Sequence, residues 1–122
     1  MASDNEHCGD RGRECTITVS NPVLHGMYPD PSWIWDTTRE EIVLVNSSFE
    51  LVPGLPIHTT RDLVTWTRTA NAVDEAMSHR LLIDGVEDSG GLYAPTIRRI
   101  GGRYVIVCTV ARVDEVKALA AG

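Results

Sequence analysis

The chain has 122 residues, 43% of them hydrophobic, which is enough for the core of one ordinary domain and argues against general disorder. Its formal net charge of −6 argues against a nucleic-acid partner, because such a partner requires a basic surface. No apolar run approaches the roughly 20 residues that span a bilayer, so we expect no membrane partner.

The first 20 residues are polar and carry scattered charges, which predicts a disordered tail. They lack the hydrophobic region of a secretory signal, so we expect a cytoplasmic protein. His7, Cys8 and Cys15 are metal-ligand types, but a zinc site usually has four ligands in tighter spacing. We therefore expect no metal and no cofactor, and three cysteines define no disulfide framework.

Short apolar and alternating patterns predict a series of β-strands after Pro31. Residues 47–56 and 84–91 are predicted loops, and residues 70–80 form either a short helix or an irregular loop. Gly101-Gly102 predicts a hairpin turn, and residues 111–122 have helical composition. The predicted strands are Trp33–Asp36, Ile42–Val45, Ile57–Thr60, Val64–Thr67, Thr96–Ile100 and Tyr104–Cys108.

An internal repeat relates the segment that begins at Pro31 to the segment that begins at Pro95. In each unit a Pro-Ser/Thr strand is followed by a turn and a second apolar strand. One unit therefore holds about four short strands before the pattern returns. Four-stranded sheets repeated radially are the blades of a propeller. We expect residues 31–69 to form one antiparallel blade and residues 94–109 to form the inner hairpin of a second.

Asp30 is the candidate catalytic residue, because it lies between two prolines directly before a predicted strand. Pro31 pushes the residue before it toward extended conformations, so we expect a fixed, extended Asp30. A solvated aspartate in a proline-rich turn is the alternative. The repeat places Ala94 at the equivalent position, so folding does not require a carboxylate there. This comparison favours a chemical role for Asp30.

Several motifs in order resemble glycoside hydrolase family 43, the β-xylosidase and α-L-arabinofuranosidase family. The resemblance covers roughly residues 21–110 and implies a five-bladed β-propeller with a central pocket that works by inversion. The chain would then be all-β and contain about one and a half blades, with a disordered N-terminal tail and a short C-terminal helix. The matching segments are Asn21–Leu24, Tyr28–Ser32, Asn46–Glu50, Pro53–His58, Thr60–Leu63 with Trp66, and Ser89–Arg98.

Carried over by this resemblance, Asp30 corresponds to the general base that activates water. Phe49 and Tyr93 correspond to aromatic residues that border the bound sugar, with plain core packing as the alternative. Arg61-Asp62 and Trp66 correspond to a motif that we interpret as structural, a turn with its packing anchor.

The resemblance also implies an incomplete active site, because the family takes its general acid and a pKa-tuning aspartate from later blades. Glu115 lies in a predicted atypical tail, residues 111–122, and is not a candidate acid. We expect a truncated inverting glycosidase for xylo- or arabino-oligosaccharides. The alternative is a non-catalytic propeller fragment that binds sugar weakly. Unpaired blade edges predict self-association.

One competing motif, Asp88-Ser89-Gly90-Gly91, resembles the nucleophile loop of trypsin-like serine proteases. Those enzymes place their His and Asp well before the Ser, in a longer, disulfide-bonded secreted domain. The cysteines of this chain do not pair plausibly, so the sequence disfavours a protease.

Overall fold

A computed structural model describes residues 16–81 and 90–112. This part of the chain is all-β except for one short helix, which is far too short to cross a membrane. Most of the predicted N-terminal tail (residues 1–20) and most of the predicted C-terminal helix (residues 111–122) lie outside the described residues. The elements are β1 (Ser32–Asp36), β2 (Glu41–Val45), β3 (Gly54–Thr60), β4 (Thr67–Val73), α1 (Glu75–Leu81), β5 (Gly91–Ile100) and β6 (Arg103–Ala111).

The first four strands form one antiparallel sheet in the order β1-β2-β3-β4, as the repeat predicts. β1 therefore lies at one edge of this first sheet, and Ser32 of β1 pairs with Val45 of β2. β5 and β6 form a second, two-stranded sheet. Gly101 and Gly102 both have positive φ (+55° and +77°) at the turn between them, the geometry that matches the twist of a tight hairpin.

Several predicted strand boundaries differ from the structure, and β6 continues to Ala111, beyond the predicted end at Cys108. The fourth strand begins at Thr67 and continues to Val73, so the prediction of Val64–Thr67 is wrong. The Asp62 carboxylate accepts hydrogen bonds from the backbone N–H groups of Val64 (2.9 Å) and Thr65 (2.7 Å), which holds these residues in a turn. β3 and β5 also begin earlier than predicted, at Gly54 and Gly91.

The sequence predicts a short helix or an irregular loop for residues 70–80. Residues 70–73 belong instead to β4, and the helix occupies Glu75–Leu81. Asp74 precedes α1, and its side chain accepts a hydrogen bond from the Met77 N–H at 2.7 Å. This is the arrangement of an N-cap, which satisfies a donor that the first helical turn leaves unpaired.

The core lies between the two sheets, which pack face to face. The first sheet contributes apolar side chains from β2, β3 and β4, and β5 contributes side chains from the second sheet. The backbone N–H of Ile97 also donates to the Ser32 hydroxyl at 3.2 Å, which ties β5 to β1. The buried cluster consists of Val43, Val45, Leu55, Val73, Leu92 and Ile97.

Candidate active site

Asp30 precedes β1 directly, as predicted, but its backbone is not extended. Its φ of +51° lies in the left-handed region, and Ala94 has the same feature with a φ of +45°. The extended backbone that Pro31 predicts for Asp30 is therefore wrong. The chain changes direction at Asp30, and a hydrogen bond from the Ser47 N–H to the Pro29 carbonyl at 3.0 Å holds it there. The shared left-handed geometry shows that the two repeat units are equivalent at the backbone level.

Ser47 connects the Asp30 carboxylate to the second sheet. Its hydroxyl donates to Oδ2 of Asp30 at 2.7 Å and accepts from the backbone N–H of Ala94 at 2.7 Å. The Ala94 N–H can only donate, so the Ser47 oxygen is its acceptor. The single hydroxyl proton of Ser47 is therefore directed to the Asp30 carboxylate. Asp30 is therefore held at the junction of the two repeat units, although its side chain remains exposed to water.

Asn46 holds the peptide chain before Asp30. Its side-chain amide donates to the carbonyl oxygens of Tyr28 at 2.7 Å and Pro29 at 3.2 Å. Asn46 and Ser47 are fully buried, at 1% and 0% exposure. Neither residue belongs to the candidates that the sequence motifs indicate for the site. A signal was present, because two polar residues directly follow the apolar run of β2 and buried polar groups require partners.

Phe49 and Tyr93 lie in contact, so the structure brings together the two aromatic residues that the sequence nominated. Their ring centroids are 4.3 Å apart in a stacked arrangement, and both side chains are half-buried. Phe49 follows Ser47 closely in sequence, and Tyr93 precedes Ala94. The aromatic pair is therefore tied through the backbone to the same junction as the carboxylate.

A backbone bridge between Phe49 and Leu92 fixes this junction. The Phe49 N–H donates to the Leu92 carbonyl at 3.0 Å, and the Leu92 N–H donates to the Phe49 carbonyl at 2.9 Å. Gly91 makes this approach possible, because a Cβ at this position would lie 1.9 Å from the Phe49 carbonyl oxygen. The glycine that resembles part of a protease loop thus has a packing role. Asp88 and Ser89 lie outside the described residues.

A second carboxylate, Asp36, lies at the opposite end of β1. It is 2% exposed, accepts a hydrogen bond from the Tyr104 hydroxyl and forms a salt bridge with the Arg99 guanidinium at 3.0 Å. The Tyr104 hydrogen bond holds the pKa of Asp36 below its usual value, helped by backbone N–H groups and by Arg99 and opposed by burial. A buried carboxylate held in its charged form cannot donate a proton to a leaving group. Asp36 is therefore unsuited to be the acid partner of Asp30.

His58 and Cys108 are two further titratable side chains near the core. His58 is 4% exposed and meets the Tyr28 ring edge to face at 4.7 Å. Burial, with Arg68 as a smaller cause, lowers the pKa of His58 and keeps it neutral. Cys108 is half-buried, and burial raises the pKa of its thiol. The metal-ligand types His7, Cys8 and Cys15 lie outside the described residues.

Comparison with known proteins identifies the chain's relatives. Residues 19–119 match the model of glycosyl hydrolases family 43, a match that continues past the predicted boundary at residue 110. A non-reducing end α-L-arabinofuranosidase of Bacteroides ovatus is 38% identical over 93 residues, covering 75% of this chain and 17% of the relative. A β-xylosidase of Bacillus subtilis is 34% identical over 99 residues, covering 81% of this chain and 18% of the relative.

Solved structures agree with this relationship. A xylan β-1,4-xylosidase of Bacillus halodurans aligns with a TM-score of 0.68 at 29% identity, covering 78% of this chain and 17% of that structure. The BlXynB protein of Bacillus licheniformis aligns with a TM-score of 0.64 at 33% identity, covering 75% of this chain and 17% of that structure. The chain thus spans about one sixth of the length of its relatives, and its fold is part of a five-bladed β-propeller. The chain belongs to glycosyl hydrolases family 43.

Proposed function

We propose that this chain supplies the general base, Asp30, of an inverting glycoside hydrolase that acts on xylo- or arabino-oligosaccharides. The observation that carries the proposal is the hydrogen-bond chain from the Ala94 N–H through the Ser47 hydroxyl to the Asp30 carboxylate. It holds an exposed carboxylate in one orientation beside the stacked Phe49 and Tyr93 rings. The names of the relatives support the substrate class, since they include both xylosidases and arabinofuranosidases.

The two oxygens of Asp30 have separate tasks in this mechanism. Oδ2 accepts the Ser47 hydrogen bond, which fixes the plane of the carboxylate. Among residues 16–81 and 90–112, no hydrogen bond to Oδ1 is present, which leaves this oxygen for a water molecule. A base must lie within hydrogen-bond reach of the proton that it removes, and Oδ1 has that freedom.

Phe49 and Tyr93 would border the sugar in the same mechanism. Sugar sites combine apolar surface with a few polar groups that fix orientation. The stacked pair offers a rigid apolar surface at the sheet junction, and Asp30 offers the polar group. Each ring holds the other in place, so neither has to be ordered when sugar binds.

Inverting hydrolysis also needs a general acid, at about 6.5–9.5 Å from the base. The family takes this acid from a later blade, and the chain spans only 16–18% of its curated relatives. We therefore propose that the chain by itself has no efficient turnover. The second candidate function, weak sugar binding without catalysis, rests on the same coverage.

The test replaces the matching segment of the B. subtilis β-xylosidase with residues 19–119 of this chain, which restores the later blades. We expect Asp30→Asn in this chimera to lower kcat by about 10²–10⁴-fold with little change in KM, because the amide keeps the shape but cannot take a proton. The assay measures release of the aryl group from aryl β-D-xyloside and aryl α-L-arabinofuranoside. These substrates need little acid assistance, so they are the most permissive.

Asp74→Asn is the matched control, since asparagine also caps a helix. It makes the same chemical change at the exposed start of α1 and leaves turnover intact. A chimera in which Asp30→Asn remains as active as Asp74→Asn contradicts the assignment of the base. Robust turnover by the isolated chain contradicts the proposal that its site is incomplete, and sugar binding without turnover supports the second candidate.

The sheet edges of the isolated chain are candidate sites for pairing with further copies of it. β4 and β6 each form an edge of their sheet in the part of the chain that the structure describes. Unpaired edges are templates for pairing with another chain. We propose that the isolated chain self-associates.

A further inference from the structure

The segment that carries Asp30 is attached to the first sheet through Tyr28. The Tyr28 ring meets the His58 ring edge to face, with 4.7 Å between the ring centroids. The Tyr28 carbonyl accepts a hydrogen bond from the Asn46 side chain at 2.7 Å. A single residue, Pro29, separates Tyr28 from Asp30. The position of the Tyr28 ring therefore constrains the backbone from which the Asp30 side chain projects.

The Tyr28 ring is also confined by the chain that precedes it. Gly26 has a φ of +130°, and a Cβ at this position would lie only 3.1 Å from the ring. Pro29 adds a fixed φ directly after Tyr28. The ring therefore has little freedom to leave His58 unless the backbone that leads to Asp30 moves with it. We call the arrangement in which the two rings are in contact the docked form.

His58, the residue beneath Tyr28, is a buried polar side chain with an unsatisfied ring nitrogen. It is 4% exposed, and within residues 16–81 and 90–112 its Nδ1 atom has no hydrogen-bond partner. A buried polar atom without a partner costs stability, so its presence requires an explanation. An apolar side chain would pack under Tyr28 without this cost. A titratable ring at this position therefore indicates a role beyond packing.

A proton on His58 would have no compensating charge in the docked form. The elements packed against His58 contribute Leu44 from β2, Arg68 from β4 and Tyr28 from the segment before β1. None of these side chains is an acid, and the Arg68 guanidinium is itself positive. Burial, and to a smaller extent the charge of Arg68, hold the pKa of His58 below its usual value of 6.5. The docked form is thus matched to a neutral imidazole.

The other contacts of this segment do not change charge near neutral pH. They come from the side-chain amide of Asn46 and from the hydroxyl and the backbone N–H of Ser47. Histidine is the side chain whose charge ordinarily changes between about pH 5 and 8. We infer that His58 is a positioning residue that presents Asp30 through Tyr28 while its imidazole is neutral, and that acid releases this hold. The inference rests on the proposed role of Asp30 as the base.

The direction of the pH effect follows from the exposure of His58 in the two forms. Undocking of Tyr28 exposes His58 to water, which raises its pKa toward the usual 6.5. The undocked form therefore binds the proton more tightly than the docked form. Its population grows as the pH falls below about 6.5, by up to about tenfold for each pH unit, until the lower pKa of the docked form is reached. Above that range both forms are neutral and the docked form is favoured.

The test compares the chimera described above with its His58→Phe variant. Phenylalanine keeps a ring against Tyr28 but cannot take a proton. We measure kcat for the aryl β-D-xyloside from about pH 7.5 to 5, the range in which histidine titrates. We expect similar kcat values above pH 6.5. Below it the ratio of variant to parent should rise, by up to about tenfold for each pH unit. A ratio that stays constant over the whole range overturns the inference.

The backbone N–H of Ser47 reports on the same segment without catalysis, because it donates to the Pro29 carbonyl at 3.0 Å. Hydrogen exchange is measured by mass spectrometry on a peptide that contains Ser47, for both proteins at each pH. We expect faster exchange in the parent than in His58→Phe at acid pH and equal exchange at neutral pH. Equal exchange at every pH shows that His58 does not hold the segment and also overturns the inference.

His79→Phe is the matched control, since it makes the same change at an exposed histidine of α1 and should keep the pH profile of the parent. Circular dichroism checks folding, and the smaller His58→Leu, which also takes no proton, replaces His58→Phe if the latter unfolds. Asp30→Asn in the same chimera distinguishes the two possible failures. If it retains turnover, the assignment of the base is wrong. If it abolishes turnover while the parent and His58→Phe have parallel pH profiles, the base stands and the role of His58 is wrong.

Discussion

At the residue scale, Ser47 determines how Asp30 is presented. Its hydroxyl is the acceptor for the Ala94 N–H and the donor to the carboxylate, in a site without exposure to solvent. A single oxygen therefore serves both the junction between sheets and the proposed catalytic group. Removing it should affect stability and activity together, whereas a hydroxyl with a purely structural role affects stability alone.

We expect Ser47→Ala to destabilise the chain by about 1 kcal/mol, because the Ala94 N–H and the Asp30 carboxylate both lose their hydrogen bonds to this hydroxyl. In the chimera it should also lower kcat more than it raises KM, since the carboxylate loses its fixed orientation. Urea unfolding and aryl xyloside kinetics measure the two effects. Ser78→Ala is the matched control, because Ser78 is also fully buried and its hydroxyl donates to the Asp74 carbonyl at 2.9 Å. Equal kinetics for both variants contradict the positioning role.

The sequence located the candidate site residues but not the way in which they are held. Phe49 and Tyr93 were nominated separately, and the structure stacks them at the junction where Asp30 lies. Local rules could not find Ser47, because its partners Asp30 and Ala94 are 17 and 47 residues away. Dependence on residues distant in sequence also explains why the extended backbone predicted for Asp30 is wrong. The rule for a residue before proline describes local sterics, whereas hydrogen bonds from Asn46 and Ser47 impose the turn.

At the element scale, the start of β5 depends on Gly91. Its φ of +100° is strained for any other residue, and a Cβ would overlap the Phe49 carbonyl. We expect Gly91→Ala to destabilise the chain by more than about 2 kcal/mol, through both the backbone strain and the clash. Loss of the Phe49–Leu92 bridge should also weaken the junction. Thermal unfolding followed by circular dichroism measures this loss.

Gly101→Ala separates the two causes, because Gly101 also has a positive φ (+55°) but a Cβ there meets nothing within 4 Å. It should cost only about 1 kcal/mol, from backbone strain alone. Equal losses for the two variants would show that the close approach to Phe49 is unimportant.

The fourth strand shows why element boundaries escaped the sequence analysis. The β-branched and aromatic residues Val64–Thr67 predicted a strand, but Val64 is 56% exposed and has no packing surface. Backbone N–H groups of Thr65 and Val64, with the Thr60 hydroxyl, lower the pKa of Asp62 to about 2 against the effect of burial. A short side chain that accepts several backbone donors therefore overrides β propensity. The Arg-Asp motif was correctly interpreted as a turn, and the strand begins only beyond it.

At the scale of the whole molecule, the repeat predicted the four-stranded sheet and the second hairpin, because both depend on local patterns that recur. It did not predict what joins them. Asp36 of β1 meets Arg99 of β5 and Tyr104 of β6, positions at which the two units differ. The equivalent residues Ile100 and Trp35 are apolar, so the repeat alone carries no signal for a polar contact.

This polar junction makes the association of the two sheets dependent on pH. The Tyr104 hydroxyl is the main cause of the lowered pKa of Asp36, while burial and then Asp36 raise the pKa of Tyr104. Since the folded pKa of Asp36 lies below its unfolded value of 3.8, its contribution to stability is present above about pH 4. That contribution is lost as the pH falls through the lower folded value. The raised pKa of Tyr104 affects stability at alkaline pH instead. The contribution of the Tyr104 phenol to folding stability is lost only above about pH 10.

We expect Tyr104→Phe to move the acid unfolding midpoint to higher pH, because without the phenol the folded pKa of Asp36 returns toward 3.8 and protonation begins sooner. Tryptophan fluorescence over pH 7 to about 1.5, at a fixed urea concentration, measures the midpoint. Tyr28→Phe is the matched control, since it keeps the ring contact with His58 and precedes β1 at the end opposite Asp36. A midpoint for Tyr104→Phe that equals the control value contradicts the role of this hydrogen bond. A shifted midpoint with an unshifted control shows that one phenol, contributed by β6, determines the lowest pH at which the two sheets remain packed together.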